Sequence, residues 1–571
     1  MKNTVSILAL GVCLALAACG QKTKAPKALE SITQDLCIEN ANYYNENGKL
    51  VLTDIAIDNG VIKNYFADGL RDLCNDPGIE YKQIIDLKGA YLYPGFVDSH
   101  AHLLGIGLRE MTLNLENTPS IKTLVETLAT EVAKTPKGET VYGRGWIETH
   151  WPEERFPTRQ DLDAVSPDNP VLLGRADGHA MVVNSAALKA ASITKDTKPP
   201  FGGDILHGDD GTPTGMLIDH AMGLVKDLMP TLSPERKEAA YIKASEVYAA
   251  YGWTGIQSMS VDANDIGLIE RLSDEGKLKI RVYNAVDMQD AEALVKNIAA
   301  NGPQTSKNGR VVTRGLKFYI DGALGSRGAA LLSPYTDDPQ NTGLFLVKKE
   351  YLMPIFEQSL RDGIQISTHA IGDRANQVML DWYAEAFVAV PENERKIAKP
   401  RWRNEHSQIL DLDDIPRYKE LGVIASMQPS HAIGDLYFAN KRIGKDRLAG
   451  GYAWRSLIDS GAIIAGGSDA PVERGDPRIE FYAASARKSL DGYSDADWFP
   501  EEKVTRTEAL KMFTEWAAYA AFEEDVVGKI AAGMRADFTV FDKDIMVIPE
   551  AEILKVETVM TIVDGEVIYK R

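Results

Sequence analysis

Eight short runs rich in β-branched residues recur between residues 95 and 470: GFVDSHAH, TGIQSMS, KIRVYNAV, GLKFYID, IQISTHA, RWRNEH, VIASMQ and IIAGGSDA, with helical stretches between them. This alternation predicts a parallel sheet, because parallel neighbours need a crossover that returns the chain to the same end. Eight is the number that closes such a sheet into a (β/α)8 barrel. The gap between the first and second runs, about 103–253, is too long for one helix. It is expected to hold a large insertion carrying GRGWIETHWPEERFPT and VLLGRADGHAMVVNSAAL. Barrels build their sites from the loops after the strands, so this insertion should form part of a pocket.

Both flanks read as strand. Residues 34–95 contain LCIENANYY, KLVLTDIAIDNGVIKNYF and YKQIIDLKGAYLYPG, and residues 526–571 contain GKIAAGMRADFTVFDKD and VETVMTIVDGEVIYK. Asn-Gly and Asp-Gly pairs mark turns between short strands. Chain termini often lie close together, so the two flanks should form one small β-sandwich beside a barrel spanning 96–525.

The first 18 residues, MKNTVSILALGVCLALAA, have a lysine, an apolar stretch and small residues, the pattern of a secretory signal peptide too short to span a membrane. Leu16-Ala17-Ala18-Cys19 resembles the bacterial lipobox, which implies cleavage before Cys19 and acylation of its thiol. Residues 19–33 then read as a flexible tether. Gly20, with no acid beside it, favours the outer membrane of the cell envelope, facing the periplasm. Of the four cysteines, only Cys37 and Cys74 remain beyond the lipid cysteine. In an oxidising compartment they can be bridged, or they can be two separate buried thiols; both readings stand open. The formal net charge of −19, without a basic stretch, argues against nucleic acid and against a polybasic membrane patch. A homodimer is the default assembly for such a chain.

His100 and His102 sit two apart at the end of the first run, so in a strand both side chains point the same way and can reach one ion. His369 ends IQISTHA, His406 ends RWRNEH and Asp469 ends IIAGGSDA, each at the C-terminal end of a separate strand, where barrel enzymes collect catalytic groups. Four imidazoles and a carboxylate suit zinc or a similar borderline divalent ion. Lys317 lies within the apolar GLKFYID, where an ammonium group is costly. Its structural role would be that of a buried cation paired with Asp321 or another acid.

His-x-His after Pro-Gly-Phe-Val-Asp, the strand lysine, two single strand-end histidines and Gly-Ser-Asp-Ala-Pro together resemble the amidohydrolase superfamily. LKFYIDGALGSRGAAL, DGHAMVVNSAAL, STHAIGDRANQ and MQPSHA resemble its YtcJ-like branch, which is similar to N-substituted formamide deformylase. The resemblance runs from about residue 34 to the C-terminus. It implies a metal-binding barrel flanked by a β-sandwich, with His100, His102 and Asp469 on one ion and His369 and His406 on a second. Lys317 matches the lysine that other members carboxylate to bridge the two, although one ion and two remain open. A bound divalent ion lowers the pKa of water from 15.7 to about 7. Asp469 would take the proton of the attacking water and pass it to the leaving nitrogen. The implied reaction is hydrolysis of a non-peptide carbon–nitrogen bond in a small molecule.

His179 in ADGHAMVVN, His431 in MQPSHA, Arg327 in GALGSRGAA and Trp146 are candidate substrate contacts, with Trp151 as a second candidate wall; ordinary hydrogen bonding, a surface ion pair and packing are their structural alternatives. Asp373 and Arg374 are expected to cap and brace the next helix, while His150, His207 and His220 match no metal position. Two other functions compete. A one-metal deaminase of the same superfamily usually has an acid near the fifth strand and lacks the strand lysine, whereas HAIGD offers no glutamate soon after His369 and Lys317 is present. A noncatalytic binding lipoprotein would be expected to lose ligands, and every candidate ligand is present.

Overall fold

The computed structural model describes residues 32–65, 72–149, 151–495 and 498–571. The signal-peptide reading of 1–18, Cys19, most of the tether and His150 lie outside the described residues.

All eight runs are strands, and they pair in parallel in the order in which they occur. They are β1 (Phe96–Ala101), β2 (Trp253–Val261), β3 (Arg281–Asp287), β4 (Val311–Tyr319), β5 (Gln365–Ala370), β6 (Arg403–His406), β7 (Ile424–Met427) and β8 (Ile464–Gly466). The result is a nearly closed, TIM-like α/β barrel. Tyr319 stands opposite His369, and Ala370 opposite His406, so a parallel register delivers these strand ends to one rim. Backbone bonds join β8 to β1: Asp469 N donates to His100 O at 2.6 Å and His102 N to Ala470 O at 2.8 Å. Asp98 tightens this seam by accepting from Ser468 N (2.9 Å), Ser468 Oγ (2.5 Å), His100 N (3.1 Å) and Tyr248 Oη (2.9 Å). Gly467 must be glycine here, since an added Cβ would lie 2.5 Å from His100 N.

After β1 the chain forms α1 (Leu103–Met111) and later α2 (Pro234–Tyr251), which pack together. Helix α2 starts where Ser233 accepts from Arg236 N with proline at the first turn, and stops where Gly252 adopts φ +109°. Between these helices lies the insertion. It is built on a six-stranded sheet in the order Gly203–His207, Pro213–Asp219, Ala180–Val183, Val171–Arg175, Val141–Trp146, Leu113–Asn114. The sheet buries its own core, including Trp146, Leu173 and Val182 on one face and Leu172 and Leu217 on the other.

The two flanks meet in one sheet of eight strands. Phe538–Phe541 pairs antiparallel with Tyr91–Pro94, joining the C-terminal strands to those of the N-terminal side. The expected sandwich is thus one continuous hydrogen-bonded sheet. Its long strand Ile32–Tyr44 carries a register shift between Ile38 and Ala41, with Asn40 at φ +56°, and such a bulge bends the strand. One face covers a core of residues such as Leu36, Ile38, Ile55, Phe538 and Ile562. Cys37 and Cys74 are joined by a disulfide inside this unit. Buried Arg281 of β3 ties the sheet to the barrel through Asp537, with Nε to Oδ2 at 2.6 Å.

Candidate metal centre

His100 leaves β1 and His406 leaves β6 with their rings 4.8 Å apart, and His369 of β5 stands 4.5 Å from His406. His102 follows at 5.6 Å from His100. Asp469 reaches in just after β8, with Oδ1 3.0 Å from His102 Nε2 and 3.4 Å from His100 Nε2. Ligand atoms of His100, His406 and Asp469 all lie within 4.8 Å of one another. His406 at φ +84° and Asp469 at φ +60° occupy the left-handed region. Such backbone costs about 1–3 kcal/mol per residue and persists where surrounding contacts over-determine it, as the Asp98 seam does at Asp469.

What lies behind the rings decides which atoms face inward. His100 Nδ1 meets Glu405 Oε2 at 2.5 Å, His102 Nδ1 meets Met259 O at 3.1 Å, and His406 Nδ1 meets Gln428 Oε1 at 2.9 Å. Nδ1–H therefore donates outward and leaves Nε2 with its lone pair turned to the centre, the arrangement that orients metal-ligating histidines. The buried Nε2 atoms of His100 and His369 have no hydrogen-bond partner within the protein. Buried polar atoms are ordinarily satisfied. Two such orphans aimed at a carboxylate fit a divalent cation.

Burial together with neighbouring histidines holds the His369 and His406 rings well below the usual imidazole range, so both are neutral and able to ligate. Burial acts to raise the Asp469 carboxyl, but His100 and His102 outweigh it and hold Asp469 well below the usual carboxylate range. Lys317 is 1% exposed. Burial pushes its ammonium down to about 8 despite the attraction of Glu405 and Asp469. It does not pair with Asp321. That carboxylate instead accepts from the backbone N–H groups of Ala330, Ile371 and Gly372 at 2.8, 3.0 and 2.9 Å, and lies 3.5 Å from His369 Nε2. Lys317 Nζ lies 5.1 Å from the centroid of the Tyr319 ring.

Glu405 belongs to the site although the sequence singles out only its neighbour His406. Fully buried, it binds His100 on one side and Arg403 Nε on the other at 2.7 Å. The alternation RNEH held the signal: in β6 Arg403 and Glu405 point to the same side, opposite Asn404, while His406 at φ +84° turns towards the centre.

The centre opens into a cavity of about 470 Å³ lined by barrel loops and the insertion. His179 lies in it, with Nδ1 2.6 Å from Asp219 Oδ1 and its ring 4.9 Å from His369. His431 lies in it too, with Nε2 3.6 Å from Asp469 Oδ2. Three other sequence candidates do not. Arg327 forms an ion pair with Asp337 at 2.8 Å, away from the centre, because its loop turns outward. Trp146 is fully buried in the insertion core, where its Nε1 donates to Leu173 O at 2.8 Å, and Trp151 packs beside it. Asp373 braces the loop before it by accepting from Leu332 N at 2.8 Å. His207 ends the outer strand Gly203–His207 of the insertion, His220 opens the 3-10 helix His220–Leu228, and neither lines the cavity.

An eight-stranded parallel barrel with histidines and an aspartate gathered at one rim defines a class of hydrolases, and the comparisons agree. The model of the amidohydrolase family matches residues 83–569. The protein YtcJ of Bacillus subtilis (strain 168) is 32% identical over 523 residues, covering 90% of this chain and 96% of YtcJ. The N-substituted formamide deformylase of Arthrobacter pascens is 28% identical, covering 86% of this chain and 90% of that enzyme. The crystal structure of an uncharacterized metal-dependent hydrolase from Pyrococcus horikoshii superposes with a TM-score of 0.71 at 26% identity, covering 90% of this chain and 99% of that one. The chain belongs to the amidohydrolase family. It is a metal-dependent hydrolase of that superfamily.

Proposed function

We propose that this hydrolase cleaves a non-peptide carbon–nitrogen bond of a small molecule. The observation that carries the reading is the inward convergence of His100, His102, His369 and His406 on Asp469, and the similarity to N-substituted formamide deformylase supports the amide-type bond. A divalent ion in this donor set, zinc by ligand preference, supplies the positive charge that polarises a carbonyl and acidifies water. His100, His102 and Asp469 would hold one ion and His369 and His406 a second. Lys317 would stand between them as a carbamate, formed when its neutral amine adds carbon dioxide and loses a proton.

The protein's own groups then do the following. Asp469 Oδ1 faces the Nε2 atoms of His100 and His102 and would hold the ion with them, which leaves Oδ2 to take a proton from the attacking water and return it to the departing nitrogen. Glu405 and Gln428 keep the His100 and His406 rings in one tautomer and one orientation. We also infer that Cys19 anchors the enzyme to the outer membrane; LAAC at the end of the apolar stretch supports this.

The test is a screen of purified, metal-loaded protein against formamides, acylated amino acids, cyclic amides and small esters. Chelator-sensitive turnover of at least one carbon–nitrogen class is expected. Turnover confined to esters would overturn the proposal.

A further inference from the structure

Beyond the metal centre, the cavity wall carries a charge imbalance. Arg175 is shared between Glu148, at 2.8 Å, and Asp177. Glu116 has Arg109 at 3.3 Å. Asp435 and Glu473 line the same wall without an arginine or lysine partner among the described residues. Among the described residues the Asp435 carboxyl accepts from the Tyr452 hydroxyl, and the Glu473 side chain, 33% exposed, has His431 Nε2 at 3.9 Å. Arg474 sits at the exposed rim. The rest of the wall includes Ile147, Leu324 and Ile433.

His431 supplies an independent sign that something binds there. Its ring is 8% exposed, and the Gln408 amide Nε2 lies 3.0 Å from Nδ1. The amide nitrogen donates to Nδ1, so the proton of the neutral ring sits on Nε2. That buried Nε2 has no hydrogen-bond partner and is aimed between Asp469 Oδ2 at 3.6 Å and Glu473 Oε1 at 3.9 Å. Both oxygens are too far for a good hydrogen bond. A donor held in this way is completed by an acceptor on a ligand, and the two carboxyls, pushed up to about 7 at Asp435 by burial and to about 8 at Glu473 by burial and its acidic neighbours, regain their charge beside a cation.

We propose that the cavity selects substrates bearing a cationic amine on an apolar body, with Glu473 and Asp435 receiving the ammonium group and His431 Nε2–H donating to the carbonyl oxygen of the bond to be cleaved. This rests on the amide-hydrolysis reading above. It adds a substrate class, a specificity pair and a donor role for His431.

The experiment compares three formamides of similar length on metal-loaded, full-length protein: a monoformylated alkane diamine, the uncharged N-alkylformamide and an N-formyl amino acid. The diamine derivative should show kcat/KM at least tenfold above the neutral one, and Glu473→Gln should abolish that preference by raising KM for the cationic substrate alone. Equal use of the three, preference for the carboxylate, or an unchanged preference in Glu473→Gln overturns the proposal. Should wild type cleave no formamide, the subsite is still judged by calorimetry with n-pentylammonium and pentan-1-ol. Ammonium binding at least tenfold tighter than the alcohol, and levelled by Glu473→Gln or Asp435→Asn, supports the subsite; no difference in wild type overturns it.

Discussion

Burying an ammonium group in a barrel is costly, and the structure shows how Lys317 meets that cost. Its pKa falls from 10.5 to about 8, so between those values the unfolded chain binds the proton and the folded chain does not. Stability therefore rises with pH across this window, and the full penalty, about 3 kcal/mol, applies below pH 8. Chelated Lys317→Met should melt above chelated wild type at pH 7, with the gap closing towards pH 10. If Lys317 is the carbamate bridge, Lys317→Ala should lower metal content and turnover, formate or acetate should restore part of both, and Lys317→Arg should not. Full occupancy and full turnover in Lys317→Ala would remove the bridging role. At Glu405 the opposite logic holds. Burial acts to raise this carboxyl, but Arg403 and His100 outweigh it and hold it far below the usual range. Glu405→Gln leaves Arg403 and His100 without their anion, and breaking such a buried pair costs about 3–5 kcal/mol. Metal affinity should fall about 10–100-fold by equilibrium dialysis, because the His100 ring loses its charged orienting acceptor.

Among the elements, α1 is the piece that carries the chain from the His100–His102 pair into the insertion, and it is held against α2 by the absence of a side chain. A Cβ on Gly107 would lie 1.9 Å from Ala240 O, a backbone atom that cannot turn aside. Gly107→Ala should therefore push the helices apart at a cost of about 1–3 kcal/mol or more. Gly223→Ala, where the added methyl meets open space, is the control and should leave the thermal midpoint unchanged. Activity of Gly107→Ala should drop with metal content, since α1 begins directly after His102. Equal midpoints for the two variants would show that the α1–α2 contact is soft.

For the whole molecule, the disulfide and the catalytic rim belong to separate parts. The Cys37–Cys74 link spans 37 residues, and closing such a loop is worth about 4 kcal/mol in the chain-entropy model. Cys74→Ser should raise hydrogen exchange in the terminal sheet while metal content stays at the wild-type value. Cys19→Ser should move the protein from the membrane to the soluble fraction; wild-type protein that fractionates wholly as soluble would end the lipoprotein reading.

The eight barrel strands were legible in the chain because short β-branched runs interrupted by helices admit few other arrangements, and strand-end histidines declare themselves by position. Periodicity also states which side of β6 Glu405 faces. It does not state what waits there. The partners that define the centre come from distant strands: Glu405 meets His100 across 305 residues, and Asp98 meets Ser468 across 370. The ion pair of Arg327 with Asp337, the burial of Trp146 and the absence of an arginine or lysine partner for Glu473 among the described residues likewise depend on loop paths. Local sequence sets dihedral preference and the side of a strand, whereas pairing, burial and net charge in a cavity arise only when separate segments are brought into contact.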